Sequence, residues 1–192
     1  GRGIWIIHDI TPLRALTPHT LAKGAEFFQA KPIVQVLSAG GGWANGDAEF
    51  AGPNPPGDAI ITYFLQKRHI FGDMKIEVRD SAGKLLTSLP TSKRRGLSRV
   101  AWSMTMPPPR IPPAANAAFG VGPRYLPGNY TVTLIDGDNQ YTSALHVVRD
   151  PRVSHSPADR QAQFALAQRL YGVLGEMTSL VDRMNGVREG LQ

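Results

Sequence analysis

The side chains that most often carry chemistry, histidine and the acidic residues, are scattered along this chain. The histidines are His8, His19, His69, His146 and His155. No two of them are separated by two or four residues, the spacings that place two imidazoles on one metal ion from a single strand or helix. The chain also has no cysteine, which excludes thiolate metal sites and disulfides. We therefore expect no metal site and no cofactor.

The acidic residues offer only weak candidates for catalysis. Glycoside hydrolysis requires two carboxyl groups that face each other across a sugar, and Asp58 and Asp73 flank one strand and turn. Solvated turn residues would give the same pattern. Asp136 and Asp138 are close enough to ligate Ca²⁺, but the remainder of a calcium-binding loop is absent. Nucleotide-binding, metalloprotease, serine hydrolase and redox motifs are also absent, so the sequence predicts a chain that is not an enzyme.

Aromatic residues in two long loops are the best candidates for ligand binding. Residues 38–57 and 106–127 are rich in glycine or proline, and we predict them to be irregular. Trp43, Phe50 and Tyr125 lie in these loops, where their rings can stack on a sugar. The same rings can instead pin the loops to the core. The sequence alone leaves both interpretations open, and a carbohydrate-binding module is the alternative function that it allows.

The basic charge of the chain does not indicate a nucleic-acid partner. Its net charge is +6 and its isoelectric point is about 9.9, but the densest basic run is only Lys93, Arg94 and Arg95. There are no interleaved aromatic residues and no helix-turn-helix or zinc pattern beside that run, so we interpret it as a solvated loop. No apolar run of 18 residues is present, so we also predict no membrane span.

Alternation of apolar and polar residues predicts the elements that would position any site. About seven short strands follow residue 30, with turns between them, and Trp102 is expected to fill the core. Asp136 and Gly137 are a strong hairpin signal. An earlier apolar run, Ile4 to Ile7, also has strand character. We predict a mainly-β fold, an antiparallel β-sandwich of the immunoglobulin or fibronectin type III class with a long C-terminal helix.

The C-terminal helix carries the sharpest periodic signal in the sequence. Ser156 and Pro157 have the residue types of an N-cap and a first helical position, and no proline follows. Eight apolar residues recur at alternating spacings of four and three, which is a heptad pattern. We call them the seam: Leu166, Leu170, Val173, Met177, Leu180, Met184, Val187 and Leu191. A helix of roughly 50 Å exceeds what a small sandwich can cover. The seam therefore predicts pairing with the same helix of a second chain or with a following helix; folding back on the sandwich is the remaining alternative.

Several stretches of the chain resemble the end of large bacterial sortilin-like proteins. Residues 1–14, GRGIWIIHDITPLR, resemble the final strand and exit segment of their β-propeller, which carries BNR (Asp-box) repeats. The later stretches resemble the sandwich that follows the propeller, which is similar to the immunoglobulin-like domain of flagellar hook-capping proteins. These later stretches are residues 58–65, 74–84, 96–102, 126–132 and 149–152. Family members carry an aspartate after the strand tryptophan, where this chain has Ser103.

The resemblance implies a division of the chain and a setting for it. Residues 1–30 would be a residual propeller strand and linker, residues 31–150 the sandwich domain, and residues 151–192 the long helix. Because the chain starts in a strand pattern, we expect an upstream propeller as its partner. These proteins are often labelled glycosyl hydrolases, but any such activity belongs to the propeller, so no catalytic residue carries over. The resemblance also implies a secreted or periplasmic protein.

Overall fold

The computed structural model of this chain describes residue 3 and residues 9–28, 31–36, 57–111 and 120–191. Its elements, in chain order, are α1 (Thr11–Arg14), α2 (Pro18–Ala22), β1 (Ala25–Phe27), β2 (Ile33–Gln35), β3 (Ala59–Leu65), β4 (Met74–Arg79), β5 (Leu85–Pro90), β6 (Gly96–Trp102), β7 (Gly128–Asp136), β8 (Asn139–Arg149) and α3 (Pro157–Gly190). The predicted strand at Ile4 to Ile7 lies outside the described residues. So do Trp43, Phe50 and nearly all of the loop at 38–57.

Two sheets make up the first of two compact units, which comprises Gly1–Ser103 and Pro127–Asp150. One sheet has three strands in the order β1-β3-β6, and the other has five in the order β2-β8-β7-β4-β5. Every pairing is antiparallel except that of β2 with β8. Within the described residues, seven strands follow residue 30. The predicted mainly-β class, with two mostly antiparallel sheets and a C-terminal helix, is confirmed at this level.

The hairpin of β7 and β8 forms where the sequence predicts it. Tyr130, Val132 and Leu134 point inward and are buried, as their alternation with threonine and isoleucine predicts. Asp136 pairs with Asn139, so the connecting loop has two residues. The first of these is Gly137, whose φ of +59° lies in the left-handed region that glycine adopts at least cost. The turn therefore sets the register of the longest strand pair.

Trp102 joins the two sheets. The side chain is 1% exposed, and its ring meets that of Tyr130 edge-on with a centroid distance of 5.0 Å. Trp102 belongs to β6 and Tyr130 to β7, which lie in different sheets. The prediction of a core tryptophan is confirmed. Leu97 is a second apolar candidate for the core in this segment of the sequence, but the alternation along β6 places it on the outer face with Arg99.

Glu77 in β4 also differs from expectation. The alternation along β4 predicts that the Glu77 side chain is exposed to solvent, yet Glu77 is only 7% exposed. Its carboxylate lies 2.8 Å from the ammonium of Lys75 and 2.7 Å from the guanidinium of Arg79. Hydrogen bonds from Lys75 and then from Arg79 hold the pKa of Glu77 below its usual value. This face of β4 is thus polar, and the Glu77 carboxylate on it is covered by the ion pairs with Lys75 and Arg79.

Two N-terminal features follow their sequence signals to different degrees. Thr17 and Pro18 have the residue types of an N-cap and a first helical position, and in the structure Thr17 caps α2 through its side chain and Pro18 is its first residue. The apolar residues between Lys31 and Leu37 predict a strand; of its described residues, only Ile33–Gln35 form β2, which runs parallel to β8. Alternation of apolar and polar residues indicates which face of a strand is buried but not the direction of the neighbouring strand. The parallel pairing of β2 with β8 could therefore not be predicted from the sequence.

The second compact unit consists of Met104–Leu126 and Pro151–Gln192, and it contains α3. The two ends of its first segment pair with each other. The amide of Met106 donates to the carbonyl of Pro123 at 2.8 Å, and the amide of Tyr125 donates to the carbonyl of Met104 at 2.8 Å. A Cβ at Gly122 would collide with the carbonyl oxygens of Met106 and Pro107. Glycine is therefore needed for this close approach.

Candidate assembly surface

The long helix α3 begins at a complete capping box. The Ser156 hydroxyl oxygen accepts a hydrogen bond from the Asp159 amide at 3.1 Å, and the Asp159 carboxylate accepts one from the Ser156 amide at 2.8 Å. Hydrogen bonds from Ser156 lower the pKa of Asp159. Pro157 is the first helical residue, and α3 ends at Gly190. The predicted start and length are both confirmed, so seven seam residues lie on one uninterrupted helix and the eighth, Leu191, is its C-cap.

One face of α3 is attached to the first segment of its own unit. The Arg160 guanidinium donates to the carbonyl of Arg124 at 2.7 Å and to that of Tyr125 at 3.1 Å. Further along the helix, the Thr178 hydroxyl donates to the carbonyl of Arg110 at 2.7 Å. Arg160 and Thr178 are the two buried residues of α3. Sequence reasoning missed this attached face because its two buried residues are polar and do not count toward a hydrophobic pattern.

The attached face has its own spacing, which runs beside the seam. Its members alternate at four and three residues, as the seam does, and they are buried or half-buried. They are Arg160, Phe164, Ala167, Tyr171, Leu174, Thr178, Val181 and Asn185. Asp182, one residue beyond this face, forms an ion pair with Arg110. The helix thus carries two adjacent stripes, of which only one is covered within the chain as described.

The seam is the uncovered stripe. All eight of its side chains are exposed, from 43% at Val173 to 83% at Leu191. The spacing places Leu170, Met177, Met184 and Leu191 at a positions of a heptad and Leu166, Val173, Leu180 and Val187 at d positions. From Leu166 to Leu191 the seam is about 38 Å long at ~1.5 Å per residue. An exposed apolar surface of this length and regularity is typical of a helix-pairing site.

The C-terminal half of the seam forms an open groove. Leu180, Met184, Val187 and Leu191 line its floor, and Arg183 and Arg188 flank it. Both arginines are exposed. Counted in the same heptad, Arg183 is at a g position and Arg188 at an e position, and Glu176 is the preceding g residue. Residues at e and g border the partner in a coiled coil, so these charges can influence which pairing is stable.

Of the three predicted ligand-binding aromatics, only Tyr125 lies in the described part of the chain. The Tyr125 ring is half-buried and packs against Phe164, with a centroid distance of 6.5 Å. The guanidinium of Arg160 lies 5.9 Å from the centroid of the Phe164 ring. Tyr125 therefore packs against the N-terminal part of α3. Trp43 and Phe50 lie outside the described residues.

In the described part of the chain, the acidic residues and histidines that were candidates for catalysis or metal binding make structural contacts or lie apart. Asp136 forms an ion pair with His69, whose other ring nitrogen lies 3.2 Å from the carbonyl oxygen of Gly72. Asp58 precedes β3 and Asp73 precedes β4, and these strands belong to different sheets. Within the described ranges no three histidine or acidic side chains cluster as metal ligands.

A polar groove runs along β8 in the first unit. Its lining includes the aromatic residues Phe27 and Tyr141 and the polar residues Glu26, Gln140 and His146. His146 is held in place by Asn129, whose side-chain oxygen lies 2.7 Å from its Nδ1. Among the described residues, β2 pairs only with residues 147–149 of β8, and no other described strand pairs with that edge of β8 beside the groove. Sequence reasoning missed the groove, because it depends on where β1 lies.

Among the helices that the structure describes, none is long and apolar enough to cross a membrane. In the described chain, eight of the 19 exposed large apolar side chains belong to the seam. No family model, no curated protein and no solved structure matches this chain.

Proposed function

We propose that this chain is a non-catalytic accessory or scaffold part of a larger protein, and that two copies assemble through the seam of α3. The observation that carries the proposal is the exposure of all eight seam residues, seven of them on a 34-residue helix and Leu191 at its C-cap. This helix is capped at its start and attached along a different face. An amphipathic helix whose apolar stripe faces water loses stability unless a partner covers that stripe.

A second copy of α3 is the occupant that fits the seam. The a and d residues are all Leu, Met or Val, so each seam offers knobs and holes of the type that the other requires. The surface is the same on both chains, as a two-fold interface requires. A partner of about 38 Å is also needed to cover the whole stripe, and a second α3 has that length.

The remaining parts of the proposal concern the sheets and the setting. The two sheets would form a sandwich of the immunoglobulin or fibronectin type III class, which serves as a rigid support. The order of the strands, turns and helix supports a place after the β-propeller of a secreted or periplasmic sortilin-like protein. In that setting any glycosyl hydrolase activity would lie in the propeller, and this chain would contribute assembly.

Self-association is tested by the mass of the chain in solution. The monomer has a mass of 20.8 kDa, and we expect sedimentation equilibrium to show a concentration-dependent rise to twice that value. The measurement should be repeated at high salt, because an apolar seam keeps its affinity when surface charges are screened. A monomer mass at every concentration tested would exclude pairing of α3 with a second copy.

A second candidate function is binding of a neutral carbohydrate, which the groove along β8 favours. Phe27 and Tyr141 are aromatic residues of its lining, and Gln140 and His146 are polar residues of the same lining. Sugar rings bind to this combination because their apolar faces stack on aromatics while their hydroxyls need polar partners. The groove residues named here belong to β1 and β8, whereas the sequence analysis placed its candidate aromatics in the loops at 38–57 and 106–127.

We expect Tyr141→Ala to abolish any retardation of the chain in native gels that contain soluble β-glucan, xylan or starch. The substitution removes one stacking wall of the groove and leaves the backbone pairing of β8 with β7 in place. Phe71→Ala is the matched control, because Phe71 is 85% exposed and does not line the groove. Equal retardation of the wild type, Tyr141→Ala and Phe71→Ala would argue against this candidate.

A further inference from the structure

We infer that the two copies of α3 pair antiparallel, in the one register that places Glu176 of each copy opposite Arg183 of the other. This inference rests on the proposed function, since it specifies the geometry of the same interface. It comes from the charges beside the seam, which the apolar pattern alone does not use. Glu176 and Arg183 are both exposed and both occupy g positions.

A parallel pair would gain nothing from these charges. In parallel coiled coils, each g residue faces the e residue five positions further along the partner. Arg183 would then face Arg188, and the two-fold symmetry would repeat this repulsion. Glu176 would face Val181, and Arg169 would face Leu174, so no attractive pair would compensate.

An antiparallel pair turns the same residues into complementary ones. In this geometry g residues face g residues of the partner, and each a residue shares a layer with a partner d residue. When Met177 shares its layer with Leu180 of the second copy, Glu176 faces Arg183 and the symmetry provides the pair twice. The other g contact in this register joins Arg169 with Gly190. The e contacts join Leu174 with Val181 and Ala167 with Arg188; Ala167, Leu174 and Val181 are half-buried members of the attached face at the border of the seam, and none of these contacts is between like charges.

The neighbouring antiparallel registers are unfavourable. Sliding one helix by a heptad in one direction places Glu176 opposite Glu176 and Arg169 opposite Arg183. Sliding it in the other direction places Arg183 opposite Arg183. Only the central register also includes all eight seam residues of both copies in shared layers: Leu166 with Leu191, Leu170 with Val187, Val173 with Met184, and Met177 with Leu180. The charges and the apolar layers therefore agree on one arrangement.

Disulfide trapping tests the orientation, and the absence of cysteine makes the chain suitable for it. Val173→Cys and Met184→Cys are made separately, one of them is labelled with heavy nitrogen, and the two are mixed and equilibrated in a glutathione buffer. In the inferred register Val173 shares a layer with Met184 of the other copy, whereas two copies of Val173 are about 16 Å apart along the axis. A disulfide needs Cα atoms within roughly 7 Å.

We expect the mixed disulfide between the two variants to exceed either same-variant disulfide by about tenfold, as read from intact masses. Val173→Cys dimers as the main product would overturn the antiparallel inference and leave the proposed self-association standing. Failure of every disulfide, together with a monomer mass for the wild type, would overturn both.

Charge reversal provides a second, independent readout. Arg183→Glu would place a second carboxylate opposite Glu176 in the inferred pair, and we expect it to weaken the dimer about tenfold. In a parallel pair the same change would face Arg188 and strengthen the dimer. The swap Glu176→Arg/Arg183→Glu restores complementarity and should return the dissociation constant to within about threefold of wild type. A tighter dimer for Arg183→Glu alone would contradict the inference.

Discussion

Leu170→Asp/Leu180→Asp is expected to sediment as a 20.8 kDa monomer at concentrations where the wild type is dimeric. Each two-fold dimer would bury four leucine side chains, namely Leu170 and Leu180 of both copies. In the single chain these side chains are 56% and 50% exposed. Complete burial of an exposed leucine contributes about 1.5–3 kcal/mol, and only about half of each side chain is still exposed, so the four contribute about 3–6 kcal/mol. At ~1.4 kcal/mol per tenfold change, the dissociation constant should rise by at least about 10².

The matched control for that variant is Gln168→Asp/Ser179→Asp. These two residues are exposed on α3 at f and c positions, away from the seam. The control adds the same charge to the same helix, so it should dimerise like the wild type. Helix content by circular dichroism should be compared for both variants. If both remain helical and both remain dimeric, then the chain associates through some surface other than the seam.

The features that could be read from the sequence are those that repeat with a short period or follow from a local cap. The β7–β8 hairpin follows from an Asp-Gly turn between alternating strands, and α3 follows from Ser156, Pro157 and the heptad spacing. Each is specified by residues within a few positions of one another. The seam could be predicted as one apolar stripe because its residues recur at a short, regular spacing.

Features that depend on residues far apart in the chain were missed. Nothing near Thr178 indicates that its hydroxyl bonds to the carbonyl of Arg110, 68 positions earlier. The parallel pairing of β2 with β8 and the groove beside β1 likewise arise from tertiary arrangement. The alternation of apolar and polar residues predicts that Glu77 is exposed to solvent, because it contains no information about the salt bridges that cover this side chain. For Thr178 and Glu77 a polar contact decided the position, and hydrophobic periodicity carries no information about such contacts.

The position of the candidate site within α3 shows how these two kinds of signal combine. The heptad predicted that one face of the helix needs a partner, and it is the polar contacts of Arg160 and Thr178 that show which face is already occupied. Because the attached stripe and the seam are adjacent but distinct, covering one leaves the other open. The long-range contacts thus convert a general expectation of pairing into a specific free surface.

Trp102→Ala is expected to cost the two-sheet unit about 3–5 kcal/mol of unfolding free energy. The indole is 1% exposed and provides the edge-on contact with Tyr130 of the other sheet, so its removal leaves a cavity between them. A loss of this size is a large fraction of the ~5–15 kcal/mol stability of an ordinary domain. Urea unfolding followed by far-ultraviolet circular dichroism measures the change.

Two variants on the same strand separate packing from other effects. Trp102→Phe keeps an aromatic ring against Tyr130 and should lose clearly less stability than Trp102→Ala, because it leaves a smaller cavity. Leu97→Ala shortens a side chain that is 37% exposed on the outer face of β6, and it should cost about 1 kcal/mol or less. A Leu97→Ala loss equal to that of Trp102→Ala would mean that β6 has its faces reversed. Because a one-residue slip in register exchanges the two faces of a strand, this comparison also tests the pairing of Trp102 with Ala59 on which the inter-sheet core depends.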